Sequence, residues 1–201
     1  MNTNTLKTAL LALAPAALLG LTSCSSTLQG DSTSTTATQQ GVPGGVVVDT
    51  FQTTATVSDI DAANRKVTLV GPDGKKVTYK AGPDVINFDQ IRVGDQLKIT
   101  AARELVVYLA EQGAPPPTGS ADLVALAPKG AKPGGLMVST TQITAKVKAI
   151  DLKKHKATLE FPDGTSETYP VRPDVDLTQR SVGEEVVIRL TQAVAITVEK
   201  P

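Results

Sequence analysis

Eight acidic side chains recur at matched places along this chain: Asp61 with Asp151, Asp73 with Asp163, Asp84 with Asp174, and Asp95 with Glu184. Two carboxyls a few ångströms apart can serve as acid and base in glycoside hydrolysis, and clustered carboxylates can hold calcium. These sit at the ends of apolar-polar alternating runs, most of them beside Gly, Pro or Asn. There an Asp side chain bonds the neighbouring backbone and shapes a turn, which is the simpler role. His155 is the only histidine and Cys24 the only cysteine, so a Cys/His nucleophile site or a zinc site lacks its residues. No EF-hand spacing, phosphate loop or Gly-x-Ser-x-Gly elbow occurs, and an active site rarely appears twice in one small chain. The sequence therefore assigns no catalytic, metal-binding or cofactor-binding residue. A carboxylate-dependent hydrolase stands as a second alternative only.

The acids recur because the chain is duplicated. "GGVVVDTFQTTATVSDIDAANRKVTLVGPDG" starts at Gly44, and "GGLMVSTTQITAKVKAIDLKKHKATLEFPDG" starts at Gly134; about half of the positions are identical. One residue drops out after residue 86, so that "VGDQLKIT" at Val93 meets "VGEEVVIR" at Val182, and "ELVVYL" meets "AVAITV". Two copies are too few for a solenoid and read as two tandem units, residues 44–109 and 134–201.

Within each unit the period is two. Val67 and Leu69 alternate with polar neighbours, as do Val77 and Tyr79, Leu97 and Ile99, and Leu105, Val107 and Leu109. That is the pattern of half-buried strands. Pro72-Asp73-Gly74 and Pro162-Asp163-Gly164 each lie between two such runs and should close hairpins: Pro presets φ, Asp bonds locally and Gly accepts positive φ. The pieces around Pro83-Asp84-Val85 and Pro173-Asp174-Val175 should begin a crossover holding a short helical turn. The expected fold is all-β: two tandem five-stranded OB-like Greek-key barrels, each ending in a hairpin, with SH3-like barrels as the competing architecture. Units this small have thin cores, so packing of the two copies together is expected. Tyr79 and Tyr169 are both expected to stabilise these cores.

The connecting pieces differ in composition. Residues 24–43 read as the cysteine followed by a flexible tether, 25–43, rich in Ser, Thr, Gln and Gly and spanning about 24 Å for about 19 residues. Residues 110–133 form a Pro- and Gly-rich linker whose "DLVALA" is apolar enough to lie on a barrel.

The start of the chain places it. Lys7 is followed by an apolar run at residues 8–21, too short for a membrane span and shaped like a secretory signal. Leu21-Thr22-Ser23-Cys24 resembles the lipobox of bacterial lipoproteins. The resemblance implies cleavage after residue 23, a diacylglycerol on the Cys24 thiol and acylation of the new amine. Two or more acyl chains anchor stably, at about 0.8 kcal/mol per buried CH₂. Ser25 rather than Asp after the cysteine implies the outer membrane, with a periplasm-facing body and the inner membrane as the alternative. Removal of residues 1–23 takes one Lys and leaves 19 basic against 20 acidic residues. Near-neutrality, three Phe, three Tyr and no Trp argue against a nucleic-acid partner.

Two further resemblances concern the repeats. "VSDIDAANRKVTLVGPDGKKVTYKAGPDVINFDQIRVGDQLKIT" is similar to a pattern in proteobacterial envelope proteins, a likeness that spans both copies and implies no particular activity. "KVKAIDLKKHKATLEF" and "VGEEVVIRL" resemble strands of the small periplasmic copper-binding OB barrels associated with copper and silver efflux. That family binds Cu(I) through a His, two Met and a nearby Trp. This chain has no Trp and, after the signal, only Met137. The frame is carried over without ligands, and metal handling is the alternative function. The expected role is non-catalytic: a lipid-anchored binding or scaffold protein facing an envelope protein or glycan. Phe51, Phe88, Tyr108 and Phe161 are the candidate contact surface.

Overall fold

The computed structural model describes residues 28–110 and 117–199. It is all-β and antiparallel. The strands are β1 (Asp31–Ala37), β2 (Gly44–Asp61), β3 (Lys66–Val70), β4 (Lys76–Lys80), β5 (Gln96–Leu109), β6 (Gly119–Leu126), β7 (Gly134–Asp151), β8 (Lys156–Glu160), β9 (Ser166–Pro170) and β10 (Glu185–Glu199). Short 3-10 turns at Phe88–Gln90 and Leu177–Gln179 occupy the two crossovers. No helix of the described residues is long and apolar enough to cross a membrane.

The duplication is visible residue by residue. β2 and β7 each run 18 residues and shift register at the same place, between Val57 and Asp59 and between Val147 and Ala149. A bulge there bends the strand and lets its second half pair with the hairpin. The hairpins close as the Pro-Asp-Gly spacing requires. Gly74 N–H donates to Gly71 O at 3.0 Å and Gly164 N–H to Phe161 O at 2.9 Å, while Asp73 and Asp163 accept from the N–H groups of Lys75 and Thr165.

The last strand departs from the expected plan. The anticipated final hairpin in each copy is one continuous strand, β5 or β10. The residues at the would-be turns, Thr100 to Arg103 and Thr191 to Val194, include no Gly, Pro, Asn or Asp, so nothing there favours reversal. β5 and β10 instead pair along their whole length, from Gln96 opposite Glu199 to Leu109 opposite Val186. The two copies thereby share one ten-stranded sheet, ordered β4-β3-β2-β5-β10-β7-β8-β9, with β1 on β2 and β6 on β7. Arg103 and Gln192 are equivalent residues of the two copies and face each other, so a pseudo-two-fold axis passes between them.

Two cores form on one face of the central β5–β10 ribbon. Leu97 and Val198, directly opposite, lie in the first with Val57, Leu69 and Phe88. Leu105 and Val107, opposite Leu190 and Ile188, lie in the second with Val147, Leu159 and Phe161. Leu97 and Leu105 are about 27 Å apart along an extended strand, too far to share a core. Each shared strand starts in its own lobe and finishes in the other. This exchange enlarges two units that are marginal alone.

The tether carries order that its composition did not announce, and the linker's apolar stretch is ordered as its composition suggested. β1 lies within the expected tether, its Ser- and Thr-rich sequence suiting a solvent-facing edge. β6 contains the "DLVAL" stretch and pairs with the edge of β7. Leu28, upstream of β1, is buried in the first core. It packs beside Gly71, at the position where the second copy carries Phe161. A Cβ on Gly71 would lie 2.9 Å from the Leu28 Cδ2 methyl, so the two lobes fill one hole in two ways.

Two polar clamps lock each copy to the loop of the other. Asn87 stands at the N-cap of the 3-10 turn in the first crossover, where the second copy has Asp176 and a crossover one residue shorter, and it is buried. Its Nδ2 donates to the carbonyls of Ala127 and Pro128 at 3.2 and 2.9 Å, and its Oδ1 accepts from Gly130 N–H at 3.3 Å. On the opposite side Arg172 does the corresponding work. Its guanidinium donates to the carbonyls of Gln39, Val42 and Gly44 and pairs with Asp174, 3.0 Å away.

Candidate functional site

The lobes share a frame but differ in what fills it. In the first, the 3-10 turn drives Phe88 into the core, 2% exposed, under the Arg65 guanidinium, 4.7 Å from the ring centroid. Val67 and Ile91 pack beside it. At the equivalent positions the second lobe has Leu177, His155, Ala157 and Arg180. Three of these changes remove apolar volume from one place, and a cavity of about 150 Å³ opens there. Its walls are Val147, Ile150, Ala157, Leu159, Tyr169, Val175, Leu177 and Val186, with Val107 and Leu109 arriving on the exchanged end of β5. Pro43 and Gly44, held by Arg172, form one side. Gly44 has φ +98 and lies so close to the Val107 carbonyl that a side chain there would strike it.

Polar groups gather at the rim: Arg172, Arg180 and Glu184. Arg172 is consumed by the clamp. Asp174 accepts from Arg172 and from Gly41 N–H at 2.9 Å, and these bonds hold its carboxyl down at about 2. Glu184 stands where the first lobe has Asp95. The Asp95 carboxylate accepts from Arg92 N–H at 2.9 Å and caps its turn. Glu184 is one methylene longer. Its Oε1 meets Arg180 at a loose 3.8 Å, and its Oε2 is shielded from solvent with no hydrogen-bond partner among the described residues. A shielded acceptor without a donor is costly, by about 1–3 kcal/mol.

Tyr169 forms the floor. It is 6% exposed, whereas its counterpart Tyr79 is 49% exposed, so only one of the two tyrosines expected to support a core does so. Tyr169 meets Phe161 edge-on at 6.4 Å between centroids, and its hydroxyl donates to Glu167 at 2.6 Å. Burial, then the Glu167 carboxylate, pushes the phenol well above the usual tyrosine range.

The four aromatics expected to form a partner surface do not form one. Phe88 and Phe161 are core residues, 2% and 3% exposed, because each faces its own lobe across the hairpin and crossover. Phe51 is half-buried, with Gly30 packed on its ring. Tyr108 is half-buried on the other face of the sheet, opposite Val187. Cys24 and residues 1–23 lie outside the described residues.

Most of the matched acids cap turns. Asp61 and Asp151 accept from the N–H groups of Asn64 and Lys154, at 3.0 and 2.9 Å. Asp84, Asp174 and Glu184 are the exceptions, and the last two lie beside the cavity. His155 is in a turn at φ +53, half-buried, with Nε2 3.0 Å from the Arg172 carbonyl. Met137 is exposed on β7. Among the described residues no group of three His, Cys, Asp or Glu could hold a metal ion. A second cleft, about 400 Å³, lies under the entering chain between Gln29, Thr53, Pro72 and Lys98; its walls are part polar and part apolar.

No protein-family model matches the chain, and no curated protein is detectably similar to it. The cavity was missed in the sequence because it consists of missing volume. The signal for it is the list of mismatches between the copies: Val67 with Ala157, Phe88 with Leu177, Ile91 with Arg180, and Asp95 with Glu184.

Proposed function

We propose that this protein binds rather than catalyses: an envelope protein anchored through lipid on Cys24, facing the periplasm from the outer membrane, whose second lobe receives the apolar part of a ligand. The observation that carries the reading is the convergence of substitutions on one cavity. A duplicated frame has kept its first core filled and opened its second. An apolar hollow with a few polar groups at its rim is the usual form of a small-ligand site. Apolar walls favour an acyl, ring or terpenoid group over a glycan, whose hydroxyls would find few partners there. The first lobe then serves as the rigid half of the scaffold, and the exchanged strands hold the walls of the second.

The test starts from lipidated protein purified from membranes. Its bound small molecules are extracted into organic solvent and compared by mass spectrometry with those of a Leu177→Phe variant, which restores the first lobe's filling. A species enriched on the wild type supports the reading. Identical extracts from folded wild type and variant would overturn it. Cys24→Ala should move the protein from the membrane to the soluble fraction, and retention on the membrane would remove the anchoring part of the proposal.

A further inference from the structure

We infer that the second-lobe cavity takes a small neutral amphiphile: an apolar group of about benzene size on Val147, Leu159 and Leu177, with a hydroxyl or amide N–H donating to Glu184 Oε2. The inference rests on the preceding reading of the cavity as a binding site and specifies its ligand. Volume sets the size, since an apolar cavity of about 150 Å³ accommodates benzene. Glu184 sets the head group. Its Oε2 is shielded and lacks a donor, at a position where the first lobe supplies one from its own backbone. The rim also excludes charge. A cationic head would approach Arg180, 3.8 Å from the other carboxylate oxygen, and an anionic head would approach Glu184 itself. Asp174 neutralises Arg172 and Glu184 offsets Arg180, so the rim carries no net charge to draw an ion inward. A neutral donor satisfies Oε2 without either repulsion, while the tail replaces the volume lost at Leu177 and Ala157.

The experiment uses benzyl alcohol and ethylbenzene, which share shape and differ in the donor, titrated into the full chain and followed by methyl NMR. In the wild type both bind. In Glu184→Leu the affinity for benzyl alcohol falls about tenfold, the scale of losing a hydrogen bond to a charged acceptor, while that for ethylbenzene stays within about twofold. Should Glu184→Leu fail to fold, Glu184→Ala provides the same comparison. An unchanged benzyl alcohol affinity, or equal losses for both ligands, overturns the donor assignment and leaves the cavity reading standing, provided Leu177→Phe abolishes ethylbenzene binding. Failure of both compounds to bind the wild type overturns the site as well.

Discussion

Leu28 provides a sharp test of how far the folded body extends toward the proposed lipid attachment at Cys24. Composition assigns this residue to a tether, yet its side chain is 7% exposed and fills the hole beside Gly71. Truncating a buried leucine to alanine removes its transfer free energy and leaves a cavity, at about 2.7–5 kcal/mol for fully enclosed sites. Leu28 lies where the chain enters the fold and can partly collapse, so Leu28→Ala should cost about 2–3 kcal/mol. For a chain of this size that lowers Tm by about 5–10 °C. Gly71→Ala alone should also destabilise, by about 1 kcal/mol, because its Cβ would lie 2.9 Å from the Leu28 methyl. With Leu28 already shortened that clash disappears and only the 3.1 Å approach to Asp73 Oδ1 remains. The two changes should therefore couple, with the double variant more stable than the sum of the singles by about 1 kcal/mol. Urea denaturation of all four proteins measures this. Additive effects, or a Leu28→Ala variant that melts with the wild type, would refute the docking of Leu28 and return this segment to a tether.

Three further outcomes follow from the clamps and the cavity floor. Asn87→Ala strands the carbonyls of Ala127 and Pro128 and should lower stability by about 1–3 kcal/mol in a denaturant titration; an unchanged midpoint contradicts the clamp. Asp174 has its carboxyl depressed to about 2 from an ordinary 3.8, first by Arg172 and then by Gly41 N–H. Its stabilisation is therefore present above pH 3.8 and is lost as pH falls through about 2. Hydrogen exchange at Gly41 should become faster in Asp174→Asn at neutral pH, and equal rates would place the loop's stability elsewhere. Tyr169 is raised by burial and by Glu167, so its neutral form is the stabilising one, fully present below the free-tyrosine value of about 10 and lost above it. The phenolate signal missing from Tyr169→Phe should appear only well above pH 10, and its appearance near 10 would show a solvated ring.

Much of the architecture was legible because it rests on local rules. Pro72-Asp73-Gly74 announces a hairpin by the φ values its residues accept, and the alternation of Val67 and Leu69 assigns a face. The pairing of β5 with β10 was not legible. Residues 104–109 are equally apolar whether they fold back on their own copy or cross to the other, and only the lack of turn residues before them hints at the choice. The tether was misread because Ser and Thr suit both a disordered segment and a polar edge strand, and partner strand β2 decides between them. Aromatic residues misled for a related reason. In a chain with so few, Phe88 and Phe161 are needed inside, and a contact surface cannot be read from residue type alone.

The central claim is that the two copies have parted, one closed and one open. A methyl NMR titration of the wild type with ethylbenzene tests it most directly. Shifts are expected at Val147, Leu159, Leu177 and Val186, with unmoved methyls at the equivalent Val57, Leu69 and Leu97 and loss of all shifts in Leu177→Phe. Equal shifts in both lobes, or none in the second at saturating ligand, would contradict it.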